Sequence, residues 1–121
     1  MTISNNGIIH VNRGDSFVLN FNINVGNSLS PEYHIMGPQD VIYVGVMEPN
    51  QPFECAIIRK KFTYEDFLAQ GASSIYFRPE DTQCLLPGKY YYQIKWEHQD
   101  TVFNRTNVTT IVDKTLFYIL E

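Results

Sequence analysis

Ser16-Phe17-Val18-Leu19-Asn20-Phe21-Asn22-Ile23-Asn24-Val25 sends Phe17, Leu19, Phe21, Ile23 and Val25 to one side of an extended chain and Asn20, Asn22 and Asn24 to the other. A period of two marks a strand with one face in a core and one in water. A helix would scatter the same five apolar residues around its axis. This stretch reads as a β-strand, and it sets the fold class.

The flanks carry the same grammar. Ile8 to Asn12 reads as a short strand turning at Arg13-Gly14-Asp15. Residues 26–40, with Gly, Ser, Asn and two Pro, read as a loop. Val41 to Met47 is a near-continuous apolar run with β-branched residues, as expected of a central strand covered on both faces. Glu48-Pro49-Asn50-Gln51-Pro52 reads as a turn, because proline removes a ladder donor. A strand is expected over Phe53–Phe62, and then one or two helical turns capped by Thr63, with Glu65 and Asp66 in the first turn and a stop at Gly71. Further strands are expected at Ser74–Arg78, Tyr90–His98, Asn107–Val112 and Leu116–Leu120, with a turn at Pro79–Thr82.

About eight strands and one short helix in 121 residues predict an all-β sandwich or barrel, since a parallel α/β fold needs a crossover helix after most strands. Neither linker nor repeat divides the chain, so residues 1–121 read as a single domain.

Composition narrows the function. Nine basic and thirteen acidic residues leave a net charge of −4, the wrong sign for a domain that grips polyanions, so no nucleic-acid partner is expected. No stretch approaches the roughly 20 apolar residues of a bilayer span, and no membrane partner is expected. Met1-Thr2-Ile3-Ser4 opens no secretory signal. Cys55 and Cys84, far apart in sequence, read as two reduced, partly buried thiols, with a disulfide as the alternative in an oxidising compartment.

Candidate chemistry is sparse. His10, His34 and His98 fall on separate segments without metal-ligand spacing and read as solvated strand-end residues, so neither metal nor cofactor is expected. Glu65-Asp66 and Glu80-Asp81 are adjacent pairs, better suited to caps and turns than to an acid–base couple, so no catalytic residue is assigned and no enzyme is expected. A calcium site at Pro79–Thr82 stays open, since hard cations favour loop oxygens. Neither a phosphate cradle nor a nucleophile elbow is present. Arg13-Gly14-Asp15 spells an adhesive tripeptide, yet Gly-Asp is ordinary turn chemistry. On a strand, Arg59 and Lys61 share a face and Lys60 points opposite, as expected of solvated or edge-protecting charges. Alternation sends Tyr90, Tyr92, Ile94 and Trp96 to one face, which reads as core.

Leu85-Leu86-Pro87-Gly88-Lys89-Tyr90-Tyr91-Tyr92 resembles the approach to the tyrosine corner of immunoglobulin-like and fibronectin-like sandwiches. Tyr90 is the candidate corner residue and Tyr92 the second choice. The fold class expected is therefore an immunoglobulin-like antiparallel β-sandwich of about seven or eight strands with one short helical turn.

The segment order is also similar to the N-terminal immunoglobulin-like domain of bacteriophage baseplate upper proteins and related small virion proteins. The stretches that carry this likeness are Gly14-Asp15-Ser16-Phe17-Val18-Leu19, Asp40-Val41-Ile42-Tyr43-Val44-Gly45-Val46, Ile75-Tyr76-Phe77, Asp81-Thr82 and Leu86 to Ile94. The resemblance implies a structural protein of a phage baseplate, tail or capsid-associated layer. It would act through protein–protein contacts with other virion proteins, as a homo-oligomer, assembled in the bacterial host cytoplasm. With the chain ending at Glu121, directly after the last expected strand, it implies a stand-alone virion component or a piece cut to one domain. The alternative is a carbohydrate-binding module using exposed Tyr33, Tyr43, Tyr64 and Tyr91 as stacking rings.

Overall fold

The computed structural model describes residues 2–3, 7–24, 30, 32–100 and 102–121, with the side chains of residues 2, 3, 24, 33 and 100 outside the description. The described elements, in chain order, are β1 (Thr2–Ile3), β2 (Ile9–Asn12), β3 (Phe17–Asn20), β4 (Ile23–Asn24), β5 (Tyr33–His34) and β6 (Val41–Met47). A 3-10 turn (Phe53–Cys55) follows, then β7 (Ile58–Thr63), α1 (Tyr64–Gln70), β8 (Ser74–Phe77), α2 (Pro79–Gln83), β9 (Gly88–Asp100) and β10 (Arg105–Leu120). The fold is β-rich.

The main sheet has six strands in the order β1-β2-β10-β9-β6-β7. It is mixed, because β2 runs parallel to β10 while its other neighbours pair antiparallel. This corrects the all-antiparallel expectation. The physical reason is that β2 and β10 come from opposite ends of the chain, so no hairpin fixes their relative direction. Strands β3 and β8 form a separate antiparallel pair, and β4 pairs with β5.

The alternation of residues 17–23 behaves as expected at each described position: Phe17, Leu19, Phe21 and Ile23 are all buried. It does not form one strand, however. It breaks after Asn20, where the Phe21 amide donates to the Ser73 carbonyl at 3.1 Å. Val25 lies outside the described residues. In β9, Tyr90, Tyr92, Ile94 and Trp96 face inward and are buried. They pack in one cluster with Ile9 and Val11 of β2, Ile42, Val44 and Val46 of β6, Phe117 and Ile119 of β10, and Phe17 and Phe77 of the β3–β8 pair. The Phe17 ring stacks on Phe77 at 4.5 Å and meets Phe117 at 6.0 Å, which joins the small sheet to the large one. Each such buried ring or aliphatic chain contributes about 1.5–3 kcal/mol relative to exposure.

Several local expectations are corrected. Residues 53–55 form a 3-10 turn, so the following strand begins at Ile58. Pro79–Gln83 is a short helix, with Pro79 in its first turn and Asp81 accepting from the Arg78 amide at 2.7 Å. The described residues therefore hold two short α-helices and a 3-10 turn rather than one helical turn. Residues 105–120 form one strand, interrupted by register shifts between Thr110 and Val112 and between Val112 and Thr115, rather than two. The loop over 26–40 contains the short strand β5.

The helix at α1 starts where the cap predicts. Asp66 Oδ2 accepts from the Thr63 amide at 2.9 Å, the Asp66 amide donates back to Thr63 Oγ1 at 3.4 Å, and Gly71 ends the helix with φ 71°. Tyr90 Oη donates to the Leu86 carbonyl at 2.7 Å, clamping the turn that launches β9. Tyr92 Oη donates to the Gly7 carbonyl at 2.6 Å. Arg13-Gly14-Asp15 is anchored as a turn, the Gly14 amide donating to buried Thr82 Oγ1 at 2.9 Å and the Arg13 amide to the Leu120 carbonyl at 2.7 Å.

Candidate functional site: a cation-rimmed groove and a projecting arm

Alternation along β6 turns Ile42, Val44 and Val46 inward and leaves Val41, Tyr43 and Gly45 on the outer face of the main sheet. Register sets Tyr43 beside Lys95 of β9 and Lys61 of β7, and Gly45 beside Gln93 and Arg59. After β6 the chain folds back through the 3-10 turn and lays Phe53 over Gly45. A Cβ at Gly45 would stand 2.8 Å from Phe53 Cε2 and 3.1 Å from Ala56 Cβ, so a glycine is what lets the turn approach the sheet this closely.

The result is a groove of about 470 Å³ lined by Tyr43, Phe53, Glu54, Ala56, Arg59 and Lys61. Its rim is cationic. Lys95 Nζ stands 4.9 Å from the Phe53 ring centre. Arg59 donates from Nε to the Ala56 carbonyl at 3.1 Å and from Nη2 to the Glu54 carbonyl at 2.5 Å, which pins the turn; among the described residues its guanidinium makes no ion pair. Tyr43 Oη donates to Glu97 Oε2 at 3.1 Å. Burial, then this bond to Glu97 and the charge on it, hold the phenol above its ordinary pKa.

Lys60 behaves differently from the solvated charge expected. It points inward as alternation requires, but it lands beside α2. There it pairs with Asp81 at 2.6 Å, both side chains being 15% exposed, and its Nζ lies 5.5 Å from the Phe77 ring centre.

Beyond the sheet's other end, β9 and β10 outrun their neighbour. Their 13 and 16 residues compare with 7 in β6, which pairs with β9 only over residues 91–97. The remainder, residues 98–100 paired with 105–107, forms a short two-stranded arm with Val102 and Phe103 exposed at 82% and 68% at its turn. At its turn Asn104 takes a positive φ of 49°, and the Arg105 guanidinium lies 5.0 Å from the Phe103 ring centre.

At the arm's base lies a polar network that the segment reading misses. Buried Asp40 accepts from Trp96 Nε1 at 3.0 Å, from the Gly37 amide at 2.8 Å and from His34 Nε2 at 2.6 Å. Desolvation pushes the Asp40 carboxyl up, but the bonds from Gly37, His34 and Trp96 and the His34 charge together outweigh it, and its pKa is lowered. The His34 and His98 rings both pack against the Trp96 indole, with ring centres 4.9 and 3.9 Å away. His10 stacks on Tyr118 at 4.9 Å. The three histidines are half-buried ring partners rather than solvated strand ends. Sequence spacing hides this, because His34 and His98 reach the Trp96 ring from strands of different sheets. The clue present in the sequence is a Trp on the core face of a strand, whose indole N–H needs a buried acceptor.

The candidate stacking rings do not form one platform. Tyr43 and Tyr91 share the outer face of the main sheet, but the row of Gly45 and Gln93 separates them, by roughly 13 Å at strand spacing, and Phe53 lies over Gly45. Lys89 Nζ lies 5.7 Å from the Tyr91 ring centre. Tyr64 sits on α1, its ring 6.4 Å from Phe67, and both pack against the core. The Tyr33 side chain lies outside the described residues. Cys55 and Cys84 are free and exposed, which corrects the expectation of partial burial: one sits in the 3-10 turn and the other at the end of α2. Among the described residues no group of three or more His, Cys, Asp or Glu is placed to hold a metal ion, and no helix is long and apolar enough to cross a membrane.

No family model, no curated protein and no solved structure matches this chain.

Proposed function

We propose that this chain is a non-enzymatic assembly module of a bacteriophage particle, in its baseplate, tail or capsid-associated layer. In this proposal it folds as an immunoglobulin-like sandwich and acts by contacting copies of itself and neighbouring particle proteins. The observation that carries the proposal is the β9–β10 arm. A hairpin that leaves its sheet and presents Val102 and Phe103 to solvent has apolar surface that a neighbour can cover. Modules of this kind repeat by symmetry, so an arm reaching a second copy closes a ring or a small oligomer.

Three features support the sandwich. The parallel pairing of β2 with β10 brings the chain's ends into one sheet, the β3–β8 pair covers that sheet's inner face, and Tyr90 clamps the turn into β9. The phage setting is supported by the segment order described above. Mass spectrometry of purified particles of the phage encoding the chain tests that setting. The protein is expected at a fixed ratio to the other structural proteins. Its presence in the infected-cell lysate and absence from the particles would refute it.

A further inference from the structure

In a chain of net charge −4, the groove beside β7 gathers Arg59, Lys61 and Lys95 around Phe53. Arg59 spends its hydrogen bonds on carbonyl oxygens. Lys61 is exposed and makes no ion pair among the described residues, whereas Lys60, next along the strand, is neutralised by Asp81. The groove's own carboxylate is Glu54, and Glu97 nearby already accepts from Tyr43. Its floor is apolar, built from Phe53, Ala56 and the Tyr43 ring. Strand β7 ends the main sheet, so one of its backbone edges has no strand partner among the described residues.

Cations on an edge strand repel apolar or basic strands. The same charges favour an acidic one. We propose that the groove and the β7 edge together dock an extended acidic segment of a neighbouring protein. Its backbone adds to β7 and its alternate carboxylates meet Arg59 and Lys61. This inference rests on the protein-contact reading above and names the partner's chemistry. Electrostatic complementarity of this kind selects partners and speeds encounter more than it raises affinity, so binding should weaken steeply with salt.

The test is fluorescence anisotropy with two labelled peptides of about ten residues, near the upper length of an ordinary strand. One alternates Glu with Val and the other Lys with Val, and both are titrated with the intact chain. The Glu peptide is expected to bind and the Lys peptide not. Lys61→Glu, at an exposed position, should weaken binding about tenfold, and Lys95→Gln should weaken it less. Absence of Glu-peptide binding, equal binding of both peptides, or unchanged binding by K61E would overturn the inference. Light scattering on the same samples separates the two levels. Assembly that persists in K61E without peptide binding removes this inference and leaves the protein-contact reading standing. Assembly lost in K61E without peptide binding makes a second copy the occupant and overturns the neighbouring-protein inference. A chain that neither binds peptide nor assembles counts against both.

Discussion

Trp96 Nε1 donates to Asp40 Oδ1 across 3.0 Å, a buried bond that ties the approach to β6 to the middle of β9. It places a lowered-pKa carboxylate at the base of the projecting arm, with His34 on its other oxygen. The bond couples the arm's root to the core through one side chain.

Removing that side chain is costly. Asp40→Ala leaves the Trp96 indole N–H and the Gly37 amide without their acceptor in a buried site. It should destabilise the fold by about 3 kcal/mol, since each buried donor left unpaired costs about 1–3 kcal/mol. Urea unfolding followed by Trp fluorescence reports it directly. Asp40→Asn, which keeps one acceptor oxygen, should cost less.

Acid should find the same site. Asp40 has a folded pKa below its ordinary 3.8, so in that window the unfolded chain binds more protons. The stability Asp40 contributes is therefore fully present above about pH 4 and is lost as pH falls through the lowered value. Comparing stability against pH for wild type and D40N isolates it: the acid-side slope should be shallower in D40N. Parallel slopes would show that Asp40 does not titrate abnormally.

Gly45→Ala probes the close approach of the 3-10 turn. The added methyl falls 2.8 Å from Phe53 Cε2, so the ring must move, and a loss of about 1–3 kcal/mol is expected for overpacking. Phe53→Leu in the G45A background should recover part of that loss, a coupling that a double-mutant cycle on denaturant midpoints measures. Additive effects would mean the two sites do not meet.

Tyr90→Phe removes one hydroxyl and one bond, to the Leu86 carbonyl at 2.7 Å. The ring stays packed, so the cost should be about 1 kcal/mol. Burial, with Glu48 nearby, holds the Tyr90 phenol above its ordinary pKa, so ultraviolet titration should show it ionising later than an exposed tyrosine.

What the sequence disclosed followed physical locality. The inward positions Phe17, Leu19, Phe21 and Ile23 were legible because side-chain direction along an extended chain has a period of two, whatever the strand pairs with. The break between β3 and β4 was not, because it reflects a change of partner, from β8 to β5, that alternation cannot show. The capping of α1 was legible because Thr63 and Asp66 act on each other within one turn. The parallel pairing of β2 with β10, and the meeting of Asp40, His34, Trp96 and His98, join segments with no local trace of one another. Alternation correctly turned Lys60 away from Arg59 and Lys61, but only the fold reveals Asp81 waiting there. The groove depends on a 3-10 turn folded back onto Gly45, where the sequence suggested a continuing strand.

The central claim is contact through the arm, and multi-angle light scattering of the purified chain over rising concentration tests it most directly. The account predicts a mass above the 14.0 kDa of one chain, brought back toward that value by Phe103→Asp at the exposed arm tip. A constant 14.0 kDa for wild type and variant alike at every concentration would contradict it.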